Sequence, residues 1–435
     1  MRICLITNTY LPHVGGVARS VDTLAEDLKK QGHDVLIIAP TFSDDDVVSG
    51  DDDNVVRVPA IQNFNGSDFS VRLPLPFQLT ETLDEFEPDI VHSHHPFLLG
   101  DTALRIARKY RKPLVFTHHT LYERYTHYVP LDSEVMQQFA IHLAIAYVNL
   151  CDAVVAPSES IAELIRERGG EAPVRVIPTG VDPDFFRRGN GQAIRDRYGI
   201  PPSAKVIGHL GRLAEEKNLR YLAEAVSKAL AQQPDAWFLL AGDGELKQEL
   251  EAWFESRQQA DRVIATGNCT GQTLADVYQA MDLFAFASHT ETQGMVVTEA
   301  MAAANPVVAL DASGVREVVR DGFNGRLLPA SATTDEFSRA LVSLLNESAN
   351  ERKSKQTMAL KTANEFSREA CAERMIRLYR SLVYSAMPDA LYTEKRTSLD
   401  KLAGRLKAEW ELLSEKSRAA AKTLVESADS NSELI

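Results

Sequence analysis

Short apolar runs alternate with helical patterns along most of this chain, and that alternation limits the folds open to it more than any other feature. The runs are rich in Val and Ile and show little polar–apolar alternation, which is typical of parallel strands buried on both faces. Helical patterns such as Val17–Gln31 and Gly100–Tyr110 lie between them. This succession predicts a doubly wound α/β sheet. The candidate strands of the first half are Ile3–Ile6, Val35–Ala39, Val55–Val58, Ile90–Ser93, Leu114–Thr117, Ala153–Ala156 and Val174–Ile177.

The same pattern begins again after a Gly- and Arg-rich segment, Phe186–Gly191. A chain of 435 residues is too long for one ordinary core, so two domains are expected, 1–185 and 186–365. Ligands of open α/β sheets bind beyond the carboxyl ends of the strands, which predicts a site in a cleft between the domains. The second set of candidate strands is Val206–Leu210, Trp237–Ala241, Val263–Thr266, Leu283–Ala287 and Val307–Leu310.

The sequence from residue 388 to 435 has a different character, with a charged helical pattern over Leu399–Leu424 and a Ser- and Asp-rich end. We expect an appended amphipathic helix, or a helical pair, followed by a frayed terminus. A solvated or self-associating helix is the simplest interpretation of it.

Composition excludes several classes of protein. A net charge of −14 disfavours nucleic-acid binding and strong adhesion to anionic lipid. No apolar run approaches the ~20 residues of a spanning helix, and the first run, Ile3–Ile6, lacks a signal-peptide cleavage site. Four scattered cysteines indicate a reducing compartment and no structural zinc. We therefore expect a cytoplasmic protein. The Asp triplets between residues 43 and 54 suggest a solvated acidic loop, without the spacing of a calcium loop.

Residues 288–306 are the most informative segment for function. An apolar strand runs into a polar turn, and Gly294 then opens a short helix that Pro306 ends. Glu291 precedes this helix and Glu299 lies inside it. The unpaired N–H groups and the dipole of a helix N-terminus attract phosphate. Two carboxylates on either side of an anion site suit a diphosphate ligand with hydroxyls at both ends, such as a nucleotide sugar.

Two further segments follow the first strand of each domain. Gly15-Gly16 would let the backbone approach a ligand closely, although a tight strand-to-helix turn explains it equally well. It lacks the GxGxxG spacing of nicotinamide-binding proteins. Arg212 and Lys217 could neutralise a leaving diphosphate without a metal ion, or they could pair with Glu215 and Glu216 as surface charges.

Histidines follow two strands of the first domain. His118 and His119 come after one of them, and His92, His94 and His95 lie at the end of another. A histidine there could bond a substrate hydroxyl or stabilise developing charge near neutral pH. Zinc is an alternative, but neighbouring residues on a strand point to opposite faces, so neither group converges easily on one ion. No metal site is predicted.

Taken together, these features resemble the retaining, nucleotide-sugar-dependent glycosyltransferases of family 4, over roughly residues 1–385. The resemblance implies the α/β GT-B fold, in which two Rossmann-like doubly wound domains form an interdomain cleft, here with the C-terminal helical tail added. The helix over about 366–385 resembles the one that crosses back to the first domain.

The resemblance also implies roles for individual residues. Glu291 would contact the hydroxyls of the donor sugar, Glu299 would hold the ribose, and His119 matches the histidine near the reacting carbon, with His118 left open as an alternative. No metal or other cofactor would be required. The groups assigned to the donor diphosphate are Arg212, Lys217, the backbone of Gly294, Met295, Val296 and Val297, and the Gly15-Gly16 pair of the first domain.

Within the family, Ile90–Gly100 and Thr117–Tyr128 look most like bacterial glucosyltransferases that act on diacylglycerol. The resemblance implies retaining transfer of a hexose, glucose from UDP-glucose, to an acceptor hydroxyl of a lipid or a small molecule. Peripheral contact with the inner face of the membrane follows if the acceptor is a lipid. The acidic end of Phe64–Glu87 departs from this pattern. A basic cluster is nevertheless present, and it forms either a lipid-facing patch or a solvated helix face. Its members are Arg105, Arg108, Lys109, Arg111 and Lys112.

Two other functions remain open. A nucleotide-sugar epimerase on the same fold would consume the donor without an acceptor. A non-catalytic sugar-nucleotide sensor would use the tail helix as a docking surface, although it would not need both cations and His119.

Overall fold

The computed structural model describes residues 1–13, 15–41, 54–58, 60–61, 71–72, 78–123, 134–289, 291–390 and 398–432. The chain forms two compact units. The first comprises Met1–Thr179 and Cys371–Ile435, and the second comprises Gly180–Ala370. The expected domain boundary at residue 185 thus falls inside the second unit, and the tail belongs to the first unit.

The first unit is built on a parallel sheet. Seven of its described strands pair in the order β3-β2-β1-β6-β7-β8-β9, and β4 and β5 form a separate antiparallel pair. The strands are β1 (Arg2–Ile6), β2 (Asp34–Pro40), β3 (Val55–Val58), β4 (Ala60–Ile61), β5 (Val71–Arg72), β6 (Ile90–Ser93), β7 (Leu114–Thr117), β8 (Ala153–Ala156) and β9 (Val174–Val176).

Strand β1 shows why these runs are uniformly apolar. Cys4 and Ile6 pack into the core on one face of the sheet, and Ile3 and Leu5 pack into the core on the other. All four are fully buried, so neither face of the strand needs polar side chains. The helices of residues 1–179 are α1 (Gly16–Lys30), α2 (Gln78–Phe86), α3 (Leu99–Tyr110), α4 (Glu134–Val148) and α5 (Glu159–Glu167).

The second unit repeats this architecture, with six described strands in the order β12-β11-β10-β13-β14-β15. Its strands are β10 (Lys205–Leu210), β11 (Ala236–Ala241), β12 (Val263–Gly267), β13 (Leu283–Phe286), β14 (Val307–Leu310) and β15 (Gly325–Leu328). Sequence reasoning missed β15, because this short edge strand is only partly buried after Gly325 and includes Arg326. The doubly wound α/β prediction is confirmed for both units.

The helices after residue 180 flank the second sheet or continue into the first unit. These helices are α6 (Pro183–Arg187), α7 (Gly191–Arg197), α8 (Leu219–Gln232), α9 (Lys247–Glu255), α10 (Gly271–Gln279), α11 (Met295–Ala302), α12 (Thr334–Leu345), α13 (Ala349–Glu365), α14 (Arg368–Ala390) and α15 (Ser398–Ser432). The Gly- and Arg-rich segment Phe186–Gly191 runs from the end of α6 to the first residue of α7.

In each sheet the strand order reverses beside the first strand of the unit, between β1 and β6 and between β10 and β13. Loops that leave neighbouring strands at such a switch point diverge and leave room for a ligand. The candidate residues follow β1, β6 and β7 in the first unit, and β10 and β13 in the second. The topology therefore places them at the ligand-binding ends of their sheets.

The tail helix α15 packs on α3 and α4 of its own unit. Ala408, Leu412 and Ala419 are buried on its inner face. The Arg105 guanidinium contacts the Glu409 carboxylate at 2.5 Å, and that of Arg108 contacts Glu411 at 2.8 Å. The expectation of a solvated or lipid-facing basic cluster is therefore wrong for these two arginines, because α15 supplies the carboxylates that pair with them.

Several sequence segments lie outside the described residues. They include the acidic loop from residue 43 to 53, half of Phe64–Glu87, and Arg124–Tyr128 in the region that looks most like diacylglycerol glucosyltransferases.

Candidate functional site

The N-terminus of α11 lies where the sequence predicts an anion site. Gly294 caps this helix with φ 72° and ψ 52°, a left-handed conformation that glycine adopts without the steric cost of a side chain. The N–H of Val297 donates to the Gly294 carbonyl at 2.9 Å. The N–H groups of Met295 and Val296 lie in the first turn, where helices have no carbonyl to offer. They are the donors that this helix end presents to an anion.

Glu299 lies within α11 and is almost fully buried, with 3% exposure. The Tyr278 hydroxyl, from α10, donates to Oε2 of Glu299 at 2.9 Å and also lies 3.3 Å from the Val296 carbonyl. Tyr278 therefore fixes the orientation of this carboxylate. Sequence reasoning missed Tyr278, because it stands 21 residues before Glu299 and within an ordinary helical pattern.

Glu291 forms a close ion pair with Lys217. The Nζ of Lys217 lies 2.6 Å from Oε1 of Glu291, and their side chains are only 19% and 15% exposed. Burial alone would raise the pKa of Glu291. Attraction to Lys217 and hydrogen bonds from Lys217 and Ser288 more than offset that effect and hold the pKa below its usual value. Glu291 is therefore ionised at neutral pH and able to accept hydrogen bonds from hydroxyl groups.

Arg212 follows β10 and donates a hydrogen bond to the carboxylate of Glu216. The pairing of Arg212 with a neighbouring carboxylate, one of the two interpretations of the sequence, is thus present, whereas Lys217 turns to Glu291 instead. Asn218 adopts a left-handed conformation (φ 56°) directly after Lys217. Its side-chain amide donates to the Ala287 carbonyl at 3.1 Å, which joins this loop to the end of β13.

His209, on β10, is a polar residue of this region that the sequence did not single out. It is 1% exposed, and its Nδ1 donates to the Ala285 carbonyl at 3.0 Å. Burial lowers its pKa to about 4, against a smaller raising effect of that hydrogen bond. No polar atom of the described residues partners its Nε2. Its position in an otherwise apolar strand was the signal that could have revealed it.

The glycine pair of the first unit stands at the start of α1. Gly15 is the N-cap residue with extended backbone angles, and its carbonyl accepts from the N–H of Arg19 at 3.0 Å. A Cβ built on Gly16 would meet nothing within 4 Å. Packing among the described residues therefore does not require glycine at 16, and the helix start is open to an approaching group.

His119 and His118 differ in their surroundings. His118 is 3% exposed and packs against the rings of Phe116 and Tyr122, with no described partner for its Nδ1. His119 is only partly buried, and its Nε2 lies 2.8 Å from Nδ1 of His94. Burial lowers the pKa of His119 to about 3 and that of His118 to about 4, so both rings are neutral at pH 7.

The predicted residues of the second unit lie in the loop after β10 and around the start of α11. In the second unit, the Lys217–Glu291 pair stands beside the N-terminus of α11, with Arg212 on the same loop as Lys217 and Glu299 one turn into the helix. Gly15, Gly16 and His119 belong to the first unit. Among the described residues, no three His, Cys, Asp or Glu side chains gather as a metal ion would need. The independence of the reaction from metal stays a prediction.

Comparison with known proteins identifies the family. Residues 14–185 match the model for Glycosyltransferase Family 4, and residues 190–362 match the model for Glycosyl transferases group 1. An alpha-monoglucosyldiacylglycerol synthase of Streptococcus pneumoniae is 32% identical over 332 residues, which are 75% of this chain and 75% of that protein. The chain belongs to glycosyltransferase family 4. This family 4 enzyme is a hexosyltransferase, as the resemblance implied.

Other relatives of this glycosyltransferase differ in the donor that their names state. A GDP-mannose-dependent alpha-mannosyltransferase of Corynebacterium glutamicum is 30% identical over 80% of this chain and 81% of that protein. Among solved structures, HepE of Anabaena in complex with UDP-glucose superposes with a TM-score of 0.67 at 21% identity, covering 87% of this chain and 100% of that one. This likeness confirms the GT-B fold.

No helix among the described residues of this glycosyltransferase has the length and apolar character needed to cross a bilayer.

Proposed function

We propose that this enzyme transfers glucose from UDP-glucose to an acceptor hydroxyl with retention at the anomeric carbon. The ion pair between Lys217 and Glu291 at the N-terminus of α11 is the observation that supports it most. It combines a cation, an ionised carboxylate and helix N–H groups within a few residues. A donor with a diphosphate and sugar hydroxyls offers a partner to each of these groups.

Each group has its own part in the proposed reaction. The leaving nucleoside diphosphate gains negative charge as the glycosidic bond breaks. Arg212, Lys217 and the N–H groups of Met295 and Val296 stabilise that charge without having to reorganise. Glu291 accepts hydrogen bonds from the sugar hydroxyls, and Glu299 accepts them from the ribose. None of these groups is required to act as a covalent nucleophile.

The identity of the donor is tested with purified protein and a set of sugar nucleotides. UDP-glucose is expected to raise the melting temperature most, because a ligand that binds only the folded protein stabilises it. GDP-mannose, UDP-galactose and ADP-glucose serve as controls for base and sugar. A larger stabilisation by GDP-mannose, with mannose found in the product, would replace glucose in this proposal. Proton NMR of the product then shows whether the anomeric configuration is retained.

We propose a diacylglycerol-type lipid as the acceptor. The support is the name of the pneumococcal relative, an alpha-monoglucosyldiacylglycerol synthase, at 32% identity. Dioleoylglycerol in mixed micelles, with UDP-glucose as donor, is expected to yield a monoglucosyl lipid. Small alcohols and sugar phosphates presented at equal concentration provide the comparison. Turnover of a soluble acceptor with none of the lipid would contradict the lipid acceptor and leave the donor assignment intact.

The outer face of α15 supports peripheral contact of the enzyme with a lipid surface. Leu406, Trp410 and Leu413 are 64%, 72% and 65% exposed and recur with helical spacing, so they form one apolar stripe. Lys407 and Arg418 fall along one edge of it, since a helix turns once in about 3.6 residues, and they pair there with Glu411 and Glu415 of the same helix. An apolar stripe with Trp beside charged residues is typical of helices that lie in the headgroup layer.

Co-sedimentation with phosphatidylglycerol–phosphatidylcholine vesicles tests this contact. The double variant Trp410→Ser/Leu413→Ser is expected to lose binding. Tyr384→Ser is the matched control, since Tyr384 is 77% exposed on α14. Absence of wild-type binding would contradict membrane contact. A dimer that the double variant dissociates would instead assign the stripe to a second copy of the chain.

Two other functions predict different outcomes. An epimerase would convert UDP-glucose in the absence of any acceptor, so NMR of the donor alone distinguishes it. A non-catalytic sensor would bind the nucleotide sugar but form no product with any acceptor. Its docking through the tail would be lost when residues 398–435 are removed.

A further inference from the structure

A row of histidines in the first unit joins the predicted reacting histidine to buried residues that the proposed function leaves without a role. The rings of His92 and His94 stack with centroids 4.2 Å apart, whereas those of His94 and His119 meet edge to edge, with centroids 5.1 Å apart and planes inclined by 21°. His92 and His94 are 0% and 1% exposed. One hydrogen bond connects this buried pair to His119, between Nδ1 of His94 and Nε2 of His119 at 2.8 Å.

His92 is fixed on both of its ring nitrogens. Its Nδ1 lies 2.5 Å from the hydroxyl of Tyr379, on α14, and its Nε2 lies 2.7 Å from Oγ1 of Thr117. Because both nitrogens are bonded, the ring cannot flip without losing two buried hydrogen bonds. It therefore provides a rigid surface against which the ring of His94 lies.

The two nitrogens of His94 determine which of the two bonded rings is the donor. In the described part of the chain, no polar atom partners the Nε2 of His94. If His119 donated its Nε2–H to His94, the remaining proton of a neutral His94 would sit on that Nε2 as a buried N–H without an acceptor, which is rare in proteins. If His94 donates instead, only a lone pair remains unpartnered. The second arrangement is the favourable one.

Both rings must be neutral for this reasoning to apply. Burial lowers the pKa of His94 well below its usual value, with repulsion from His92, His119 and His95 acting in the same direction. Burial also lowers the pKa of His119 to about 3. Each ring therefore carries one proton at neutral pH, and its position is set by the hydrogen bonds.

We propose that His94 is a positioning residue that donates from Nδ1 to Nε2 of His119 and so fixes the ring proton of His119 on Nδ1. With its Nε2 occupied by the N–H of His94, His119 does not use that nitrogen as a general base toward the substrates. The role of His119 in catalysis rests on the proposed function, whereas its tautomer does not.

Nitrogen NMR of protein labelled with ¹⁵N-histidine tests the tautomer directly. The two rings are assigned by the signals that disappear in His94→Asn and His119→Asn. Nδ1 of both rings is expected to have the shift of a protonated nitrogen and Nε2 that of an unprotonated one. A protonated Nε2 on His119 overturns the proposal, whatever the activity.

Two substitutions of His94 test its effect on the reaction. In His94→Asn the side-chain amide places an N–H close to the position of Nδ1, whereas His94→Leu fills a similar volume without a donor. Losing one hydrogen bond of ordinary strength predicts that kcat falls about tenfold in the Leu variant. The Asn variant should recover most of the kcat that the Leu variant loses, and the KM for the donor should be unchanged in both variants.

These outcomes separate a positioning role from a purely structural one. A structural role would lower the melting temperature and the activity of both variants together, and rescue by Asn would be absent. Equal kcat values for the Leu variant and wild type would overturn the positioning role. If the wild type shows no transfer with any acceptor, the proposed function fails, yet the NMR measurement still decides the tautomer.

Discussion

Lys217 and Glu291, 74 residues apart in the chain, are joined by a 2.6 Å contact between Nζ and Oε1. The cation that we assign to the diphosphate is thus held by the carboxylate that we assign to the sugar. Both side chains are largely buried, and Glu291 depends on the charge of Lys217 to remain ionised. Substitution of either residue should therefore alter the behaviour of both.

Removal of the lysine gives the sharpest test of this pair. In Lys217→Ala, Glu291 stays buried without its main counter-charge, so its pKa should rise. Because the enzyme needs the ionised carboxylate, the acid limb of kcat/KM against pH should move to higher pH. Loss of a charged hydrogen bond predicts a decrease in kcat/KM of about ten- to a hundredfold at neutral pH. Lys205→Ala is the control, because it removes a lysine at the start of β10, the strand that precedes the Lys217 loop. An unshifted acid limb would remove Lys217 from this role.

Chelation tests whether fixed cations replace a metal ion. Arg212, Lys217 and the start of α11 together offer the positive charge that a bound divalent cation would otherwise supply. After treatment with EDTA, the initial rate with UDP-glucose is expected to stay the same. A loss of activity that Mg²⁺ or Mn²⁺ restores would contradict this prediction.

Glu299 and Tyr278 form the other coupled pair of the site. Glu299→Ala should weaken UDP binding by about 1.5–3 kcal/mol, the usual value of hydrogen bonds to a charged group. Tyr278→Phe keeps the ring but frees the carboxylate to rotate, so a smaller loss is expected. Tyr221→Phe is the matched control, because the Tyr221 hydroxyl also bonds main-chain carbonyls, those of Ala332 and Thr333. Isothermal titration calorimetry with UDP measures all three, and unchanged affinity in Glu299→Ala would contradict its role.

The sequence predicted features that local chemistry decides. A doubly wound sheet follows from strands apolar on both faces, and the helix start at Gly294 follows from a strand, a turn and a glycine in succession. Glu291 and Glu299 could be placed before and inside α11 for the same reason. The edge strand β15 was missed because its partial exposure removes the continuous apolar run.

Partners that lie far apart in sequence could not be predicted. The bond between His92 and Tyr379 joins residues separated by 287 positions, and nothing in either local pattern points to the other. The prediction of a solvated or lipid-facing patch on α3 was wrong for Arg105 and Arg108 for the same reason, since their partners Glu409 and Glu411 belong to a helix about 300 residues later. Pairing of charges across a fold depends on topology, which local periodicity does not contain.

The packing of α15 on its own unit yields the last prediction. At Gly404 a Cβ would lie 2.4 Å from the carbonyl oxygen of Arg108, so only glycine lets α15 approach α3 this closely. Gly404→Val should push the two helices apart and weaken the ion pairs of Arg105 and Arg108 with the tail. Thermal unfolding is expected to shift to lower temperature by several degrees, at about 2–4 °C for each kcal/mol lost in a unit of this size. Ala403→Val, at the neighbouring exposed position, should unfold like the wild type. UDP affinity should be unchanged in both variants, because Arg212, Lys217 and Glu299 belong to the second unit and the Gly15-Gly16 pair lies outside both α3 and α15. Equal stability of Gly404→Val and wild type would show that the tail does not need this close approach.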